Sequence, residues 1–590
     1  MEKKRIVSAK LPIDVYKAFE RIVGKEWISQ DRLILETYSK LSIEGRTYLQ
    51  KHMKDPSSLP ACVILPGSTE EIQKIVRVAN EYKVPYVPFT NGQMLCTPTT
   101  PEPTLCIHLS RMNRVLSIDE ENMTATLEAY ADYGQLLADA SKVGLWNGGT
   151  PLSTTLCKLS SQAAFAGIWQ TSKKYGLLGR NIISLTVVLS TGEIVKTGSG
   201  TIEGVKDFWE YGPGPDLFGI FRGSLGTAGI ITEVTVKLHT WVGGKDMPEP
   251  EAGRPCIRTY MEPKYDEAPP PDRHKLFWME FPDYDSEINA FREIAHSGVG
   301  IGLNATGVYN TYYCSQTQEM TLERVKNKFF PAWNIYVISA GITSEKQIAY
   351  EEEVLQDIAA QYGGTFLSKN YKSDVLEALA PWNLDFVRHV TGYRMNRHNY
   401  GGGVFYGGKP EIAKHHSRVW KNALSLFGET YVTDRGGVDN TVFLYAVDPA
   451  ARFNLTETDI YPDAMEPEEL KKCMPIMLYG MAKNIAAKNP PIGFGISLEP
   501  FTSFFPEQGP YAYLLYRKFR KIFDPGGISS PGRQVYSEEE YDRIKELMGP
   551  QLESMKKLVR MNPVAAKILM KVGGFVGKIK KSFTKESQPN

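Results

Sequence analysis

The chain has 590 residues, and its 68 basic and 67 acidic side chains leave a formal net charge of +1. That length exceeds what one hydrophobic core serves, so two domains or a domain with a large cap are expected. So balanced a charge provides no global field to gather nucleic acid. Seven scattered cysteines without a C-x-x-C run argue against a disulfide framework and against an iron–sulfur cluster on this chain.

No stretch approaches the ~18 apolar residues of a bilayer span. The opening residues, MEKKRIVSAKLPIDVYKAFERIVGKEW, lack the apolar core of a secretory signal, so cytoplasmic residence is the expectation. Residues 1–56 read as helices and a connecting arm. ACVILPGSTEEIQKIVRVANEYKVPYVPF (61–89) then gives strand, turn, helix and strand, with Ser68 or Thr69 as the helix cap. Ile72, Ile75, Val76 and Ala79 recur at helical spacing and should face a sheet.

NIISLTVVLSTGEIVKTG predicts a hairpin turning at Ser190-Thr191-Gly192-Glu193. Gly and Pro cluster at 211–215, before a helical LFGIF and the strand GIITEVTVKL. The Pro-, Gly- and charge-rich stretch 243–272 is the best domain boundary. Residues 273–500 mix strands and amphipathic helices without a repeat. His415-His416, in PEIAKHHSRVW, reads as an exposed helical face. YAYLLYRKFRKIFDPGGISSPGR (511–533) is a helix stopped at Asp524-Pro525-Gly526-Gly527.

Five pieces then fall in a telling order: RIVGKEWISQDRLILETYS (21–39), LPGSTEEIQKIVRVANEYKVPYVPF, YGLLGRNIISLTVVLSTGEIVKTG (175–198), YGPGPDLFGIFRGSLGTAGIITEVTVKL (211–238) and RKIFDPGGISSPGR (520–533). Together they resemble the vanillyl-alcohol oxidase/p-cresol methylhydroxylase superfamily of FAD-dependent oxidoreductases, in its glycolate-oxidase-like form. The resemblance implies an α+β chain. It would have an N-terminal helical arm (1–56), a PCMH-type FAD-binding domain of two α/β subdomains (57–242) and an α+β substrate or cap domain (243–505). A segment returning to the FAD domain (506–536) and a helical tail (537–590) would follow.

The cofactor implied is FAD. Its pyrophosphate is an anion that backbone N–H groups of tight loops bind without charged side chains, and glycine lets the backbone approach. The first such loop carries Thr90, Asn91, Gly92, Gln93 and Met94, with one glycine where the family has several. The second carries Gly149, Thr150, Pro151, Ser153 and Thr154. Ser161, Gln162 and Gly167 follow where relatives line the cofactor. Gly229 and Ile230 would pass the adenosine side, and Arg533 would set a cation near the flavin.

Substrate groups are expected from GYRMNRHNYGGGVFYGG (392–408). There Arg394 and Arg397 can clamp an anion, His398 or Tyr400 can take a hydroxyl proton, and Tyr406 stands close in sequence. Residues 431–443 lack the histidines of the family's metal-binding element, so no metal is expected. They look more like the phenol-oxidising branch, which makes a para-alkylphenol or related hydroxylated compound the first substrate reading. A D-2-hydroxy acid is the alternative, and a non-catalytic flavoprotein-like subunit a third.

The partners implied are a small organic substrate and a protein or quinone electron acceptor; nucleic acid is not among them, and a homodimer is compatible. In 564–583, Val564, Ile568, Val572, Phe575, Ile579 and Phe583 share one helical face and Lys567, Lys571, Lys578 and Lys581 the other. Peripheral membrane or partner contact is expected there.

Overall fold

A computed structural model describes residues 10–39, 59–91, 103–149, 157–242, 273–306, 323–367, 402–427, 443–460, 492–493 and 509–533, single positions aside. The expected boundary 243–272 and the tail 564–583 lie outside the described residues.

The first sheet has the order β1-β2-β4-β3: Ile28–Ser29, Cys62–Ile64, Leu105–His108 and Tyr86–Phe89. β2, β4 and β3 run parallel. A parallel pair needs a crossover, supplied by α3 (Thr69–Tyr82). Ser68 caps it, its hydroxyl accepting from the Glu71 N–H at 3.2 Å. Ile72, Ile75, Val76 and Ala79 are buried as the periodicity requires, together with Val15, Phe19 and Val23 of α1 (Ile13–Val23). Leu35 of α2 (Arg32–Ser39) packs with Val63 and Cys106 in a separate small cluster.

The second sheet is antiparallel, in the order β5-β6-β10-β8-β9: Val115–Asp119, Thr124–Glu128, Gly229–Lys237, Ile182–Leu189 and Ile194–Lys196. The β8–β9 hairpin turns where expected. α4 (Tyr133–Ala140) and α5 (Leu159–Phe165) bury Leu136, Ala140, Leu159 and Ala163 with Leu127, Leu185 and Val234 of this sheet. Asp132 and Gln135 close a capping box on α4. Two short strands, β7 (Leu145–Trp146) and β11 (His239–Thr240), pair beside it.

The third sheet has eight strands in the order β15-β12-β14-β13-β17-β18-β16-β19, all its pairings antiparallel. They are Thr365–Phe366, His274–Glu280, Asn334–Ala340, Gly302–Thr306, Phe443–Ala446, Asn454–Ile460, Gly402–Gly408 and Ile492–Gly493. Helices Tyr284–Ser297, Lys346–Gln361 and Ile412–Phe427 bury apolar residues in its core. The fold is therefore α+β, with the first two sheets formed before residue 243 and a separate eight-stranded sheet after it.

The His415-His416 expectation needs correction. His416 is fully buried, its Nδ1 2.7 Å from the Thr456 hydroxyl and its Nε2 2.9 Å from that of Thr458. Its helix packs on β18, so one histidine of the pair turns inward. Burial pushes its pKa down to about 3.

Candidate functional site

Three distant segments meet along β3. Tyr86 N–H donates to the Ile528 carbonyl at 2.9 Å, and Ser530 N–H donates to the Tyr86 carbonyl at 2.8 Å. The Ser529 hydroxyl donates to the Gly226 carbonyl at 2.7 Å. Asp524, which stops the preceding helix, accepts from the N–H groups of Ile528 and Ser529. Leu225, Gly226 and Ser530 all have positive φ (54°, 81° and 44°). Strain in two non-glycine residues at one contact marks a site held by its surroundings.

The first residues of the second loop, Asn147–Gly149, follow β7 directly. Asn147 donates to the Gly149 carbonyl, and the Thr171 hydroxyl donates to the Gly148 carbonyl at 2.7 Å. A Cβ on Gly149 would overlap the Thr171 hydroxyl, so only glycine fits there. Thr150, Pro151, Ser153 and Thr154 lie outside the described residues, as do Gly92, Gln93 and Met94 of the first loop.

Thr90 and Asn91 sit just past β3, partly buried. The Thr90 backbone bonds the His108 imidazole, whose Nδ1 is 2.7 Å from the Tyr38 hydroxyl. Phe89, Tyr38 and Tyr130 surround that ring. Burial lowers the His108 pKa to about 4, so the imidazole is neutral in ordinary buffers. Lys158 stands 4.6 Å from the Tyr130 ring centre and pairs with Asp132 at 2.9 Å.

The remaining expected residues divide. Ser161 donates to the Lys158 carbonyl within its own helix turn. Gln162 Oε1, by contrast, is buried without a hydrogen-bond partner and crowds Gly167. Gly229 pairs with Leu189 and Ile230 with Val188 in the β10–β8 ladder, where a side chain on Gly229 would meet the Val188 carbonyl at 2.5 Å. Arg533 is buried, near Cys106, and its carbonyl accepts from Arg520 at 3.0 Å. Tyr406 lies in β16 opposite Thr456. Arg394, Arg397, His398 and Tyr400 lie outside the described residues.

Ser530 was not singled out in the sequence, and Asn147 only as the first residue of the second loop. Each has a buried side-chain oxygen without a hydrogen-bond partner among the described residues. With Gln162 they supply three orphaned neutral polar groups on the segments around the two loops expected to hold the cofactor. Buried groups of that kind are seldom left unpaired, and a dinucleotide rich in hydrogen-bonding atoms would satisfy them. The residues fit FAD.

The family pattern described as FAD binding domain matches residues 60–198. The chain carries an FAD-binding domain. The glycolate oxidase subunit GlcD of Bacillus subtilis is 33% identical over 204 residues, covering 34% of this chain and 40% of that protein. The mitochondrial D-lactate dehydrogenase [cytochrome] 1 of Saccharomyces cerevisiae is 33% identical over 205 residues, 34% of this chain and 33% of that protein. The chain thus spans only about a third to two fifths of the length of these relatives. Among solved structures, p-cresol methylhydroxylase with substrate bound covers 89% of this chain and 96% of its own, at TM-score 0.65 and 17% identity. The 4-ethylphenol oxidase of Gulosibacter chungangensis covers 89% and 97%, at TM-score 0.67 and 18% identity. These likenesses concern the fold.

The FAD domain is fastened to the eight-stranded sheet through α6 (Ser172–Tyr175). Lys173 is buried and donates to the carbonyls of Val299 and, at 3.3 Å, Gly300. Lys174 N–H donates to the Ile301 carbonyl, and Asn304 of β13 donates to that of Gln170 at 3.2 Å. Burial pulls the Lys173 pKa down to about 8. Lys173→Met should strip both carbonyls of their donor and destabilise the protein by about 2 kcal/mol, read from urea unfolding. An unchanged midpoint would show that Lys173 does not fasten that sheet.

Proposed function

We propose that this protein is an FAD-dependent dehydrogenase of a D-2-hydroxy acid that passes electrons to a separate acceptor, a redox protein or quinone. The observation that carries this reading is the 33% identity with a glycolate oxidase subunit and a D-lactate dehydrogenase. It displaces the para-alkylphenol reading drawn from residues 431–443. The resemblance to phenol oxidisers is at 17–18% identity and bears on architecture.

Bound FAD supplies the hydride acceptor. The chain's own groups hold and enclose it. Asn147, Gln162 and Ser530 offer neutral hydrogen bonds, and Arg533 brings positive charge close to β4. The Lys173 contacts keep the cap sheet seated on the FAD domain, where it excludes water. In this reading Arg397, with Arg394 near it, holds the substrate carboxylate. His398 or Tyr400 takes the hydroxyl proton, and Tyr406 lines the same region.

The test is anaerobic stopped-flow bleaching of the flavin with D-lactate, glycolate and para-alkylphenols. Reduction by a D-hydroxy acid is expected, slowed about 10²–10⁴-fold in His398→Ala at unchanged flavin content. Because residues 431–443 lack ligand histidines, chelators should leave the rate unchanged. Bleaching by phenols alone would overturn the substrate, and colourless protein that cannot be reconstituted would point to a non-catalytic subunit.

A further inference from the structure

Helix α11 (Pro510–Phe523) has two unlike faces. Tyr516, Phe519, Arg520 and Phe523 face the FAD domain across a small hollow shared with Ile220, Thr227 and Ala228. Phe523 meets Phe221 edge-on, and Arg520 donates to the carbonyls of Ser529 and Arg533. That face anchors the helix to the closing element.

The other face is apolar and turned to water. Tyr511 is 89% exposed, Leu514 55%, Leu515 52% and Ile522 66%. At 100° per residue, positions 511, 515, 518 and 522 form one narrow stripe, with 514 and 521 beside it. Exposed Lys518 lies within the stripe and exposed Lys521 along its edge. The helix sequence PYAYLLYRKFRKIF contains four cations and no acidic residue.

Scattered exposed apolar residues are ordinary, but a contiguous stripe on one anchored helix marks an interaction surface. Lysine is depleted at the centre of protein interfaces, which disfavours a protein partner. A second copy related by a two-fold axis would set Lys518 and Lys521 against themselves. An anionic lipid surface accepts both features, because leucines and isoleucine enter the acyl boundary while lysines reach up to the headgroups.

We propose that the outward face of α11 docks this protein on an anionic membrane surface. Docking there leaves the inward face of α11 and the buried closing element Asp524–Arg533 on the FAD-domain side. The inference is independent of the substrate.

The experiment is flotation of the full chain with phosphatidylcholine vesicles, with and without phosphatidylglycerol. Binding is expected only to the anionic vesicles and should weaken with salt. Each charge near the surface contributes about 1 kcal/mol, so Lys518→Ser and Lys521→Ser should each weaken binding about fivefold. Leu514→Glu with Ile522→Glu should abolish it, while flavin content and melting temperature stay unchanged. Three results would overturn the proposal: equal flotation of wild type and α11 variants, which leaves any lipid contact to residues 564–583; equal binding to neutral vesicles; or loss of a dimer in the double variant by sedimentation, which makes the stripe a self-association face.

Discussion

Gly226→Ala is expected to empty the protein of FAD and destabilise it by about 2–4 kcal/mol. A Cβ there would stand 2.6 Å from Pro88 Cγ and 2.9 Å from the Ser530 hydroxyl, at φ +81°. Both neighbours are fixed, Pro88 by the β3–β4 ladder and Ser530 by its bond to the Tyr86 carbonyl. The substitution must therefore pry the closing element from the strand that leads into the loop expected to hold the cofactor. Gly223→Ala is the control. It has a similar φ of +75° but nothing within 4 Å of its Cβ, so only the left-handed penalty of about 1–2 kcal/mol applies. FAD per chain by absorbance and urea midpoints of the two variants decide. Equal loss in both would refute a tight three-segment junction.

Acid should unfold the protein through histidines held neutral by full or partial burial. Burial lowers the pKa of His108 and His239 to about 4 and that of His416 to about 3. An unfolded histidine titrates near 6.5. Between that value and the folded values the unfolded chain binds more protons, so stability present above about pH 6.5 is lost as pH falls toward 4 and 3. His416, enclosed between two threonine hydroxyls, should contribute most, on the order of 4 kcal/mol by pH 3. His416→Gln should be less stable than wild type at pH 7, yet lose less on acidification. Urea midpoints between pH 7 and 4 measure this, and parallel slopes for the two proteins would contradict it.

The sequence by itself determined the local elements and the FAD-binding domain. Helix 69–82 was legible because its cap and apolar spacing lie within one segment. The hairpin at 190–193 was legible for the same reason, and the closing DPGG…SSPGR element because it is contiguous. Helical spacing also marked which residues of α3 are buried.

Tertiary structure decided what depends on pairs far apart in the chain. Ser529 reaches Gly226 across 303 residues and Lys173 reaches Val299 across 126, and no local pattern encodes such meetings. A histidine pair on an amphipathic helix gave no sign that His416 would find Thr456 and Thr458, because a neighbouring strand had first to present those hydroxyls. The outward stripe of α11 likewise has the periodicity of a buried face. Only the packing of Phe523, Phe519 and Tyr516 on the FAD domain shows which side of that helix was left to solvent.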